Sequence, residues 1–167
     1  MRRAPHSLTP MSLDTGDSLV CVDDVGYISA PLEDREHHLT VDVWFERVAR
    51  GCSPDALIQA FERAFAALWE RSHLTLGEVT LTAITERVLH TAIEQYPVLA
   101  SIEITSSGLG CQHLRTRQEM QIADVTDAIR FVLVEFLTIL GNLTAQILTP
   151  ALRLELSNDH AVEDPAP

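Results

Sequence analysis

Lysine is missing from this chain: all 12 of its basic residues are arginine. That absence excludes a Walker A phosphate loop, a lysine Schiff base, pyridoxal-phosphate attachment and the lysine of protein-kinase-like sites, each of which needs an ε-amino group. GC-rich codon usage accounts for the bias without a functional cause. Cysteine is scarce as well. Cys21, Cys52 and Cys111 are odd in number and far apart, which supports neither a disulfide framework nor a CxxC zinc site and points to a reducing compartment.

Positive charge is in short supply. Against 24 acidic residues the 12 arginines leave a formal charge of −12, with a pI near 4.8. Sequence-independent nucleic-acid binding needs clustered cations to displace phosphate counterions, so it is excluded as an expectation. Docking on anionic lipid is disfavoured for the same reason. The acidity is read as a solubility device rather than as an acidic functional face. No long uninterrupted apolar run is present. The richest one, from Phe131, is broken by Glu135, Asn142 and Gln146, so neither a transmembrane span nor a membrane partner is expected. Arg2 and Arg3 are followed by no apolar h-region, which argues against a secretory signal. A cytoplasmic location is the resulting expectation, and the Asn142-Leu143-Thr144 sequon is then incidental.

What is present is enough for one domain. The 167 residues, 46% hydrophobic and 22% charged, have globular composition and the length to bury a core. Residues 1–17, with two prolines and no period, read as a flexible arm; residues 18–156 read as one α+β domain; residues 157–167 read as a disordered acidic tail. The fold class expected is α+β and mostly helical, with about four helices, two short β-hairpins and a long apolar helix over 124–149 at the centre.

That helix organises the rest. Wound at 100° per residue, Asp124, Asp127, Glu135, Thr138, Asn142, Gln146 and Thr149 fall in one narrow arc, and most of the remaining girth is aliphatic or aromatic. A surface helix buries a single stripe, whereas this one would bury most of its circumference. It is therefore a central helix or half of a subunit interface. Pro150 would bend or end it, and 151–156 would add a short amphipathic piece.

Three segments precede it. Thr40 is placed as the cap of a short helix to Arg50 that buries Val41, Trp44, Phe45 and Val48, with Pro31 and the charged LEDREHH stretch as the linker before it. Ser53-Pro54-Asp55 is a stronger start signal, for a helix to about Arg71 that buries Leu57, Ile58, Phe61, Ala64, Phe65, Leu68 and Trp69. A third helix, from about Leu76 to Tyr96, packs through Leu81, Ile84, Val88 and Ala92, widened by Leu89 and Ile93, and is ended by Pro97. One hairpin is expected within Ser18–Ala30. A second is expected from strands 100–105 and 110–116 joined by Ser106–Leu109.

No catalytic residue stands out, and no metal site or cofactor is assigned. Cys111 and His113 share a face if their segment is a strand, but i and i+2 neighbours seldom reach hydrogen-bond geometry and no further ligand follows at zinc spacing. Glu86, His90 and Glu94 share a side of the third helix, where ordinary i±4 surface pairing explains them. His113, Arg115 and Arg117 form the one local basic cluster, read as a solvated strand end. Gly108-Leu109-Gly110 lacks the third glycine and the following helix of a dinucleotide fingerprint. His37-His38 is read as polar linker surface.

Two functions from different classes follow. The first is a non-catalytic regulatory or signalling module acting through protein contacts, homodimeric through Phe136, Ile139, Leu140, Leu143 and Ile147 on the long helix, with its protein partner unidentified. The alternative is a small-molecule or metal sensor with a pocket between the long helix and a small sheet. There Glu135, Thr138 and Asn142 would orient the ligand, with His90 or His113 contributing. An enzyme using Glu135 and a histidine ranks last, because no spacing demands it.

Overall fold

Ser53-Pro54-Asp55 behaves as its chemistry requires. In a computed structural model, which describes residues 32–48, 50, 52–116 and 121–158, the Ala56 N–H donates to Ser53 Oγ at 3.2 Å. Pro54 takes the first helical position and Asp55 the first turn of α2 (Pro54–Leu76). The apolar face expected of α2 is the buried one, from Leu57 and Ile58 through Phe61 and Phe65 to Leu68 and Trp69. Gly77, at φ 75°, stops α2 by donating to the His73 carbonyl at 3.0 Å. The chain re-enters α3 (Glu78–Gln95) at once, and Leu81, Ile84, Val88, Leu89 and Ala92 are buried along it. Pro97 ends α3 as expected and opens a single 3₁₀ segment, Pro97–Ser101.

Upstream, α1 spans Leu32–Val48, so it begins well before Thr40. The LEDREHH stretch expected as a linker is helical. It contains no glycine or proline, and Leu, Glu and Arg are good helix formers. Thr40 is not a cap: its Oγ1 donates back to the Glu36 carbonyl at 2.8 Å inside the helix. The expected face is correct, with Val41, Trp44, Phe45 and Val48 buried. His37 is fully buried too, contrary to the expectation of polar surface.

The second hairpin is shorter than its sequence pattern. Strands β1 (Glu103–Thr105) and β2 (Gly108–Gly110) pair antiparallel, Glu103 opposite Gly110 and Thr105 opposite Gly108, around Ser106-Ser107 alone. Gly108 is at φ 123°, and a Cβ there would lie 3.3 Å from Phe65 Cδ1 and 3.5 Å from the Ala66 Cα. Only glycine lets this strand lie so close to α2. Of the strand expected over 110–116, only Gly110 is in one, as the last residue of β2. Cys111 precedes one helical turn, α4 (Gln112–Arg115), because the buried pair there is Cys111 and Leu114, three apart rather than two. The hairpin expected within Ser18–Ala30, the arm at 1–17 and all of the tail beyond Asn158 lie outside the described residues.

The long helix is also shorter than expected. Helix α5 (Ile122–Leu143) stops a turn and a half before Thr149, and α6 (Thr149–Asn158) follows after a tight turn. Proline tolerates only the first turn of a helix, so a helix carrying Pro150 must restart at about Thr149. The turn is built by Ala145 and Gln146, both at positive φ (47° and 64°), with the Gln146 N–H donating to the Gly141 carbonyl at 2.8 Å.

Among the described residues there are six α-helices and one two-stranded sheet. The architecture is mostly helical with a minor β component. Helix α5 lies at the centre, packed by α1, α3, α2 and α6, while the sheet packs on α2. Val125, Ala128, Ile129, Val132, Leu133, Phe136, Leu137 and Leu140 of α5 are all fully buried. Each such side chain contributes on the order of 1.5–3 kcal/mol for leaving water. Phe136 meets Phe65 at a ring-centroid distance of 4.7 Å. No described helix is long and apolar enough to cross a membrane.

Candidate functional site

Because α5 buries so much of its girth, its polar arc is left as the outer strip of the helix. Asp124, Asp127 and Asn142 are exposed, and Glu135 and Thr138 are half-buried along its edges. Phe131 interrupts the strip. Its ring packs against Tyr96, the residue that caps α3, at a centroid distance of 5.8 Å and an interplanar angle of 52°. Helix α1 packs against α5 and contributes His38 to the same place. The result is a cleft of about 280 Å³ whose apolar lining is Phe131, Val134 and the Tyr96 ring, with His38 beside them. Asp127, Arg130 and Glu135 complete the rim.

Arg130 is already engaged. Its Nε donates to Asp42 Oδ1 at 2.9 Å, its Nη1 to Asp127 Oδ1 at 3.3 Å, and its guanidinium lies 5.0 Å from the centroid of the Phe45 ring. This pair of carboxylates balances the arginine and fixes it across the α1–α5 seam. Glu135, by contrast, has no hydrogen-bond or ion-pair partner among the described residues.

The residues expected at a ligand site are divided by the fold. Glu135 lines the cleft; Thr138 and Asn142 lie farther along the same strip without lining it. His90 is on the exposed side of α3, with Nδ1 at 3.8 Å from Glu94. His113 is on α4, with Nε2 at 3.7 Å from Glu103 of β1. Neither histidine reaches Glu135's cleft. The cleft that Glu135 lines is formed by α1, Tyr96 and α5, whereas the sheet packs on α2. Sequence reasoning missed His38, Tyr96 and Arg130. Asp127 and Arg130, three apart on a helix, were the signal available; His38 could be placed only once α1 was known to begin at Leu32.

Of the five residues expected at an interface, Phe136 and Leu140 are fully buried within this chain and Ile139 is half-buried. Leu143 and Ile147 remain, 60% and 78% exposed at the α5–α6 turn.

Other reactive groups are built into the scaffold. Cys111 and His113 do not share a strand face: Cys111 is buried and His113 exposed. Burial, reinforced by the Glu62 carboxylate and only partly offset by Arg115, pushes the Cys111 thiol up to about 12. Glu62 accepts the Cys111 backbone N–H at 2.6 Å. Arg115 pairs with Asp55, its Nε at 2.5 Å from Oδ1 and its Nη2 at 3.3 Å from Oδ2, and this pairing holds the Asp55 carboxyl below its usual range. The pair ties α4 to the first turn of α2. Among the described residues no three His, Cys, Asp or Glu side chains are grouped to hold a metal ion. A second cleft of about 330 Å³ lies between α2 and the Ser106-Ser107 turn, but Trp69 beneath it is only 3% exposed and its rim is Glu70, His73 and the two serines. It lacks the apolar lining of the first.

Compared with family models, with curated proteins and with solved structures, the chain matches none.

Proposed function

We propose that this protein is a non-catalytic binding module that takes a small molecule in the cleft between α1 and α5. One observation carries the proposal: an apolar lining of Phe131, Val134 and Tyr96 and, unpaired among the described residues, Glu135 converge in one concave place. An apolar lining with a few convergent polar groups is the usual makeup of small-ligand sites, and 280 Å³ suits a ligand of modest size. Among the described residues Glu135 makes no hydrogen bond or ion pair that would use its charge for the fold. The test is a thermal-shift screen of a broad metabolite collection. A ligand of the native state raises the melting temperature, and the shift should vanish in a Val134→Phe variant that fills the cleft while keeping its circular-dichroism spectrum. A broad screen with no shift, or shifts indifferent to Val134→Phe, would overturn the reading.

A second reading, a homodimeric regulatory module, is favoured by Leu143 and Ile147. Both project from the α5–α6 turn, and a twofold contact would cover them. The rest of the apolar girth of α5 is satisfied within the chain, so such an interface would be small. Native mass spectrometry at micromolar concentration separates the cases: a dimer lost in Leu143→Ser/Ile147→Ser supports this reading, and a monomer removes it.

A further inference from the structure

Resting on the reading of the α1–α5 cleft as a ligand site, we infer that its ligand is an organic cation: a substituted ammonium group carried on a small apolar body. The charges around the cleft decide the sign. Asp42, Asp127 and Glu135 are acidic, and among the described residues the basic groups of its lining are Arg130 and the His38 imidazole. Arg130 donates to both aspartates and packs on Phe45, so two carboxylates already balance its single positive charge. Arg35, one helical turn before His38, does not line the cleft. Glu135 is therefore the lining carboxylate without a counter-ion among the described residues.

The aromatic pair points the same way. Tyr96 and Phe131 are tilted by 52° at 5.8 Å, and both line the cleft. Ring faces carry negative electrostatic potential and attract ammonium groups within about 6 Å, most strongly where water is partly excluded. A carboxylate that lines the same cleft as two aromatic rings and Val134 fits the charge and the apolar surround of a substituted ammonium at once. A ligand carboxylate or phosphate would meet Glu135 and Asp127 beside an Arg130 whose charge two aspartates already balance. The field of a chain with net charge −12 adds to the preference by raising the local concentration of cations.

The experiment uses the full chain and three probes of similar shape: benzyltrimethylammonium, 3-phenylpropionate and benzyl alcohol. Dissociation constants come from titration, and the site comes from backbone amide shifts. Benzyltrimethylammonium should shift amides near His38, Tyr96 and 127–135, and should bind at least ten-fold tighter than either other probe. Glu135→Gln should remove that advantage, while Glu94→Gln, on the exposed side of α3, should leave it intact. If the carboxylate or the alcohol binds the cleft as well as the cation, or if Glu135→Gln changes nothing, the cation inference is overturned and the cleft reading stands. If none of the three shifts those amides, both fall.

Discussion

Arg130 on α5 donates from Nε to Oδ1 of Asp42 on α1 at 2.9 Å, and this bond crosses the seam on which the cleft is built. Both side chains are more than a third exposed, so solvent screens the pair and its contribution to stability is modest. Asp42→Asn should lower unfolding free energy by about 1 kcal/mol or less in urea titrations. Its larger effect should be on the ligand. Freeing half of the Arg130 guanidinium would weaken a cation and improve an anion, which the same probe titrations would register.

The α5–α6 turn holds a correctable strain. Ala145 is at φ 47°, a region that costs a residue with a Cβ on the order of 1–2 kcal/mol. Ala145→Gly should stabilise the protein by about 0.5–1 kcal/mol, after the larger chain entropy of glycine is subtracted. Gln146, at φ 64°, should gain less on the same change, because its Oε1 accepts from Thr149 Oγ1 at 2.6 Å. Urea midpoints of the two variants would show the difference.

Gly141 sits under that turn. A Cβ there would come within 2.7 Å of Gln146 Oε1, the amide oxygen that accepts from Thr149 Oγ1. Gly141→Ala should be close to neutral: about 1 kcal/mol of helix propensity offsets the displaced amide. Gly141→Leu should destabilise clearly, since no side-chain rotation clears that volume.

Titration separates Cys111 from Asp55. Cys111 is raised in the folded chain from 9.0 to about 12. Its contribution to stability is complete below pH 9 and lost as pH climbs toward 12. At pH 8 iodoacetamide should label the partly exposed Cys52 and spare Cys111 until denaturant is added. Asp55 is shifted the other way, lowered by Arg115; its contribution is present above its unfolded value of 3.8 and is lost as pH falls below it. In Arg115→Gln the Asp55 carboxyl should titrate at higher pH by NMR. An unchanged midpoint would mean that the pair is not formed in solution.

The division of α5 into core and strip has a mutational signature. Phe136→Ala, which removes a fully buried ring packed on Phe65, should cost about 3–5 kcal/mol. Leu143→Ser, at the exposed end of the helix, should change stability by less than about 0.5 kcal/mol.

Some of this was legible from the residues alone. Ser53-Pro54-Asp55 specifies its helix start by side-chain chemistry that acts within four residues, and the buried faces of α2 and α3 follow from period alone. The outer arc of α5, including Glu135, was legible for the same reason. The early start of α1 was not. Its first turns are polar, and the contact made there is distant in sequence, Glu36 with Arg153 of α6; Arg47, in the last turn of α1, donates to the Leu156 and Ser157 carbonyls. The end of α5 was hidden because its turn uses Ala145 and Gln146 at positive φ, where glycine or asparagine would have announced it. Cys111, His113 and Arg115 alternate like a strand, yet the spacing that mattered was Cys111 to Leu114. The cleft needed α1, Tyr96 and α5 together, and no local pattern contains all three.

One measurement tests the central claim most directly: amide-resolved mapping of an unbiased fragment library on the full chain. If the α1–α5 cleft is the binding site, the fragments that bind should shift amides around His38, Tyr96 and 127–135 as one cluster. Binding concentrated at the Ser106-Ser107 cleft or at the Leu143–Ile147 turn, with the α1–α5 amides unmoved, would contradict it.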